Sequence, residues 1–135
     1  MSMVRSLIVR DELSSVADVR AAVDTIAVEH GLSPEAAFDL KLATTEAVAN
    51  ALRSARDDEL GVDVTLAADQ DVVQVEVLDR GRFRVSEGPD PERGRGLPLM
   101  IALADEVEFA ATGDGTRVRI RMRVAPDDQV GPTDL

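Results

Sequence analysis

The sequence predicts a two-layer α/β sandwich in which helices cover one face of a mixed, mostly antiparallel sheet. Three observations predict this fold. In the first 55 residues, two segments repeat apolar residues every three or four positions, as amphipathic helices do. Residues 62–66, 73–77 and 116–124 alternate apolar and polar residues, as half-buried strands do. The length of 135 residues fits one domain; we assign residues 1–124 to it and residues 125–135 to a disordered tail.

The first elements are a short strand over residues 6–10 and a helix capped by Ser14 or Ser15. Gly31 is expected to end this helix, because glycine tolerates the left-handed conformation found after helix C-termini. The face that the helix buries is predicted to consist of Val16, Val19, Val23 and Ile26.

Ser33 and Pro34 predict the start of a second helix, since serine caps helices and proline suits their first turn. We expect this helix to run to about Ala55. Its buried stripe is predicted to consist of Phe38, Leu42, Thr45, Ala49 and Leu52.

After residue 61 the period changes to two, which predicts a hairpin with one buried face. The buried residues of its two strands are predicted to be Val62, Val64, Leu66, Val73, Val75 and Val77. Residues 86–96 are rich in glycine and proline and predict a loop, residues 97–104 a helix, and residues 107–109 and 116–124 two further strands.

The last strand carries a row of alternating arginines: Arg117, Arg119, Arg121 and Arg123. Such a row could bind nucleic acid, but the formal net charge of −11 repels a phosphate backbone. We therefore expect the row to pair with Asp63 and Glu76 on the outer faces of neighbouring strands.

The composition excludes several kinds of site. Cysteine is absent, which excludes disulfides, thiolate metal sites and cysteine nucleophiles. His30 is the single histidine, so the chain has too few suitable residues for a zinc site or a Ser-His-Asp triad. We expect His30 to lie at the surface or to cap a helix C-terminus. No long apolar segment precedes the domain, so we expect a cytoplasmic location.

Glu46 and Asn50 lie four residues apart in the second predicted helix, so both side chains project from one side of it. An amide oxygen is a hard, neutral ligand that suits Mg²⁺. A nearby carboxylate can take a proton from an attacking hydroxyl. The pair is therefore a candidate catalytic and metal-binding site.

Two further motifs fit a nucleotide. Asp79 follows an apolar strand and can accept a hydrogen bond from the exocyclic amine of adenine, while Gly81 lets the backbone approach the base. Gly94 and Gly96 precede the residue 97–104 helix, and glycine-rich turns before helices bind anions. Arg93 and Arg95 add positive charge there. The P-loop and dinucleotide fingerprints are both missing.

In this order the motifs resemble those of the anti-sigma-factor serine kinases of bacteria, a family of the chaperone, gyrase and histidine-kinase ATPase superfamily (GHKL) with the Bergerat ATP-binding fold. The likeness covers residues 6–124. It is carried by four stretches: Thr45-Glu46-Ala47-Val48-Ala49-Asn50-Ala51, Asp79-Arg80-Gly81-Arg82-Phe83, Arg93-Gly94-Arg95-Gly96-Leu97-Pro98-Leu99-Met100 and Gly115-Thr116-Arg117-Val118.

The resemblance implies a role for each matched residue. Asn50 would hold Mg²⁺ against the ATP triphosphate and Glu46 would be the general base. Asp79 would recognise adenine, assisted by Gly81 and Thr116. Gly94 and Gly96 would shape the phosphate side, and residues 86–93 would form a lid over ATP. The other cofactor-binding residues of this stretch would be Arg93, Arg95 and Leu97.

The family's biology implies two protein partners, a sigma factor that is sequestered and an anti-anti-sigma factor that is phosphorylated on serine, and a homodimer. The alternative is a non-catalytic nucleotide-binding module that regulates by sequestration alone. Two departures keep this alternative open: Ser54 stands where the family often has histidine, and the Asp79 motif lacks a second glycine. A third interpretation is an ATP-hydrolysing relative without a protein substrate. Such a protein would need further domains to couple ATP hydrolysis to work.

Overall fold

A computed structural model of the chain describes residues 3–9, 13–54, 61–79, 98–112 and 115–124. Five strands and two long helices follow in the order β1, α1, α2, β2, β3, β4, β5, and residues 98–103 form a short helix, α3, between β3 and β4. The bounds are β1 Met3–Val9, α1 Leu13–Glu29, α2 Pro34–Ser54, β2 Val62–Ala68, β3 Val72–Asp79, β4 Glu106–Thr112 and β5 Gly115–Arg123.

The strands form one sheet in the order β1-β2-β3-β5-β4. All four pairings between the described strands are antiparallel. Helix α1 packs on β1 and β2, and α2 packs on β3 and β5, so the helices cover one face of the sheet. The predicted sandwich is confirmed, including the hairpin of β2 and β3, whose alternate valines are buried in the core.

The turn between the helices has the predicted glycine conformation. Gly31 has φ +77°, and the Leu32 amide donates to the Ala27 carbonyl at 2.9 Å, which closes the end of α1. The Ser33 hydroxyl accepts from the Ala36 amide at 3.1 Å and caps α2. The predicted cap of α1 is wrong, because the helix already begins at Leu13 and includes both serines.

The predicted buried stripe of α2 is also wrong. Phe38 is 58% exposed, and Leu42, Thr45, Ala49 and Leu52 are only half-buried. The helix has apolar residues on two faces at helical spacing, and its small residues face the sheet because they allow close packing. The buried face consists of Leu40, Ala43, Thr44, Ala47, Val48 and Ala51.

The open face of the sheet carries the arginine row of β5. Arg119 forms ion pairs with Glu76 of β3 at 3.1 Å and with Glu108 of β4 at 3.8 Å. Arg121 pairs with Glu106 of β4 at 3.6 Å. The predicted pairing with Glu76 is confirmed. The predicted pairing with Asp63 stays a prediction, because Asp63 lies on β2, which β3 separates from β5.

Candidate functional site

Asp79 is the last residue of β3 and lies on the helix-covered face of the sheet. Strand residues alternate between faces, so Asp79 shares its side with the buried Val75 and Val77. It is 4% exposed, which makes it the one charged side chain buried among the described residues. A carboxylate that ends a strand can accept hydrogen bonds from a polar group at that end of the sheet.

Thr116 lies directly opposite Asp79 in the pairing of β3 and β5, and Val62 lies opposite it on the β2 side. Thr116 is half-buried. The structure therefore brings together two of the predicted site residues, a carboxyl and a hydroxyl, at one end of the sheet.

Helix α2 runs toward this end of the sheet. A Cβ on Gly31, three residues before the helix begins, would lie 3.9 Å from Val124, which follows β5 at the end away from Thr116. From Pro34 to Asn50 the helix rises about 24 Å. From Val124 back to Thr116 the strand spans about 27 Å. Asn50 therefore lies at the level of the Asp79 end.

Glu46 and Asn50 both project from one flank of α2. At about 100° per residue they lie roughly 90° to 130° from the middle of its buried face. Both side chains are half-buried. The two side chains share one side of the helix, as predicted, and lie outside its buried face.

Asn50 has a partner that the sequence analysis missed. Its Oδ1 atom accepts a hydrogen bond from Nη2 of Arg53, an exposed residue in the last turn of α2. The available signal was the spacing of three residues, which places the two side chains side by side on the helix surface.

In the described part of the chain, no three His, Cys, Asp or Glu side chains come together as a metal site. Mg²⁺ commonly binds to one or two protein oxygens together with water and substrate phosphates. The Asn50 amide oxygen, next to the Glu46 carboxylate on the same flank, fits such a site, in which the nucleotide would supply further ligands.

The remaining predicted site residues lie outside the described residues. They are Gly81, Arg93, Gly94, Arg95, Gly96 and Leu97. The loop over residues 86–96 and the tail over residues 125–135 also lie outside them. Within the described ranges, no helix is both long enough and apolar enough to cross a membrane.

Three solved structures share the fold. The RsbU and RsbW domains of Rv1364c from Mycobacterium tuberculosis are 21% identical over 93% of this chain and 34% of that chain, with a TM-score of 0.72. The SiaB-SiaC complex from Pseudomonas aeruginosa gives 15% identity over 89% of each chain and a TM-score of 0.55. The histidine kinase domain of a blue-light activated histidine kinase from Erythrobacter litoralis EL346 gives 19% identity over 82% of this chain and 60% of that chain, with a TM-score of 0.51.

This chain therefore spans about a third of the mycobacterial structure, 34% of its length. At these identities the likeness shows the fold. Sequence comparison with curated proteins gave no match. The family described as histidine kinase-like ATPase domain matches residues 9–122. With that match over most of its length, the chain belongs to the histidine kinase-like ATPase family.

Proposed function

We propose that this protein binds ATP with Mg²⁺ and acts as an anti-sigma factor with serine kinase activity. One observation carries the proposal. The Asp79 carboxyl is buried on the helix-covered face, at the end of the sheet toward which α2 runs and at which Asn50 lies. Membership of the histidine kinase-like ATPase family supports ATP as the ligand.

Asp79 would select the base. Its carboxylate can only accept hydrogen bonds when ionised, so it favours the exocyclic amine of adenine over the carbonyl that guanine presents at the same position. Thr116 lies beside it on β5 and offers a hydroxyl that can both donate and accept. Gly81 would let the backbone approach the base.

Asn50 would hold the cation through Oδ1, and the cation would neutralise charge on the triphosphate. Glu46, one turn earlier on the same flank, would accept the proton of the attacking serine hydroxyl. Both residues belong to a helix that is packed on the sheet, so the sheet fixes the backbone from which these side chains reach the ligand. The phosphate side of the nucleotide would be bound by residues after β3, namely Arg93, Gly94, Arg95, Gly96 and Leu97.

The partners in this proposal are a sigma factor and an anti-anti-sigma factor that receives the phosphate. The acidic net charge of −11 favours protein partners with basic surfaces over nucleic acid. The SiaB structure was solved as a complex with SiaC, which supports a protein partner for this fold. We further propose a cytoplasmic homodimer.

The proposal is tested in two steps. Calorimetry with ATP and Mg²⁺ measures binding, and we expect Asn50→Ala to lose most of the Mg²⁺-dependent part of the affinity. Transfer of label from ATP to an anti-anti-sigma protein measures kinase activity, and Glu46→Gln should bind ATP but not transfer the label. Glu108→Gln, on the open face of the sheet, is the matched control.

The two steps separate the proposal from its alternative. ATP binding without label transfer would favour the non-catalytic module that regulates by sequestration alone. Absence of ATP binding by the wild-type protein would reject the kinase and the nucleotide-binding module together.

A further inference from the structure

The hydrogen bond between Arg53 and Asn50 occupies the atom on which the proposed cation site depends. Nη2 of Arg53 donates to Oδ1 of Asn50, within the last turn of α2. The amide nitrogen of Asn50 cannot replace that oxygen as a ligand, because it carries hydrogens and is a donor. That oxygen has two lone pairs, but two positive charges at one oxygen repel each other, so a cation and the Arg53 guanidinium compete for it.

Charge on this flank of α2 makes Arg53 distinctive. By helical geometry Asp39, Glu46 and Arg53 lie on the same side of the helix as Asn50. Lys41, the other described base of α2, lies toward α1 and is paired with Asp24 at 3.2 Å. Among the described residues of this flank, Arg53 is thus the cation next to Asn50.

A triphosphate bound at this flank would lie near the carboxylates of Asp39 and Glu46 and would need positive charge. The planar guanidinium of arginine binds phosphate oxygens well, with charge-assisted and often bidentate hydrogen bonds. Its present contact is an exposed hydrogen bond to a neutral amide, which is weak in water. Phosphate oxygens are therefore the stronger acceptor for Arg53.

We propose that Arg53 couples the phosphates to the cation site, an inference that rests on the proposed function. Without nucleotide, Arg53 holds the Asn50 side chain by its oxygen. When a triphosphate binds, the guanidinium moves to the phosphate oxygens, and Oδ1 of Asn50 is released to face the cation. The cation site is then complete only when phosphates are present.

The phosphate part is tested by calorimetry with ATP and with adenosine, in EDTA, for the wild-type protein and Arg53→Ala. We expect ATP affinity to fall roughly tenfold in the variant, the factor that about 1.4 kcal/mol produces. Adenosine affinity should stay unchanged because adenosine has no phosphate. Arg20→Ala, an exposed arginine on α1, is the matched control and should leave both affinities unchanged. Arg53→Lys should fall between wild type and Arg53→Ala.

An unchanged ATP affinity in Arg53→Ala, with a wild-type protein that binds ATP, would overturn the inference and leave the proposed function standing. An equal loss for ATP and adenosine would also overturn it, because it would show a general effect on the site. A wild-type protein that binds neither ligand would reject both proposals.

The contact itself is tested by NMR of the Asn50 side-chain amide. Without nucleotide, its resonances in Arg53→Ala should differ from those in the wild-type protein, and addition of ATP in EDTA to the wild-type protein should shift them in the same direction. Asn50 resonances that do not change in Arg53→Ala would overturn the inference. Thermal melting curves of Arg53→Ala and Arg53→Lys check that both variants keep the fold.

Discussion

Asp79 and Thr116 are direct cross-strand partners, and at this level of the sheet the exposed fraction of the residues increases from β2 through β3 to β5. Val62, opposite Asp79 on β2, is 0% exposed, Asp79 is 4% exposed and Thr116 is half-buried. In the proposed site the ligand would therefore contact Asp79 from the β5 side, next to the Thr116 hydroxyl, because the β2 side is buried.

The first prediction concerns base recognition. Asp79→Asn should weaken ATP binding roughly tenfold to a hundredfold, since hydrogen bonds to charged groups contribute about 1.5–3 kcal/mol. Calorimetry with ATP and GTP measures it, and preference for ATP over GTP should fall as well. Thr116→Val should have a smaller effect. Unchanged ATP affinity in a correctly folded Asp79→Asn variant would mean that Asp79 does not contact the base.

The second prediction concerns the core. Thr44 is 0% exposed, and its Oγ1 atom makes no hydrogen bond within the described structure. A buried hydroxyl without a partner is destabilising, so Thr44→Val should raise the free energy of unfolding by about 1 kcal/mol. Urea denaturation measures this change. Thr45→Val is the control and should bring no gain, because Oγ1 of Thr45 donates to the Lys41 carbonyl at 2.8 Å.

The third prediction concerns the turn between the helices. Gly31→Ala should lower the free energy of unfolding by about 1 kcal/mol, because φ of +77° is unfavourable for residues with a Cβ. The added atom would be 3.9 Å from Val124, an ordinary contact, so backbone strain alone would cause the loss. Gly31→Asn should lose less. Equal stability of wild type and Gly31→Ala in urea would contradict this account.

The fourth prediction concerns pH. Backbone amides of Asp71 and Val72 donate to the Asp69 carboxylate at 2.8 and 2.9 Å and lower its pKa from the ordinary value of 3.8. A lowered folded-state pKa means that the stabilisation is present above the unfolded-state pKa and is lost as pH falls through the folded-state pKa. Asp69→Ala should therefore be less stable than wild type at pH 7.

That difference should narrow below about pH 4, near the ordinary aspartate pKa, because protonation weakens the same hydrogen bonds in the wild type. Urea denaturation at several pH values measures it. Asp69→Asn keeps an oxygen acceptor and should show less pH dependence than the wild type in this range. A difference between wild type and Asp69→Ala that stays constant from pH 7 to pH 3 would rule out this role for Asp69.

Much of the fold could be predicted from residue spacing. The alternation of Val73, Val75 and Val77 fixes which face of β3 is buried, and the same count places Asp79 on that face. Gly31 and Ser33 mark the turn between the helices, because the turn needs a residue that tolerates positive φ and a side chain that caps α2. Such local signals predict structure correctly because they do not depend on distant parts of the chain.

The remaining features depend on contacts between distant segments. The order of the strands decides which acids lie on strands next to the arginine row. It brings Glu106 and Glu108 of β4 beside β5 and leaves Asp63 of β2 one strand further away. The buried face of α2 was ambiguous because apolar residues occur at helical spacing on two of its faces. The distance between helix and sheet selects one of these two faces, and the sequence does not state that distance. The face with small residues such as Ala47 is the one that packs on the sheet.

The antiparallel register of β3 has a consequence for folding errors. Because successive side chains point to opposite faces, a slip of one position would turn Val73, Val75 and Val77 to solvent and move Asp79 to the open face in the same step. Misfolded molecules of that kind would lose the proposed adenine-binding carboxyl from the helix-covered face together with their core. Retention on an immobilised adenine nucleotide should therefore separate correctly registered molecules from slipped ones during refolding.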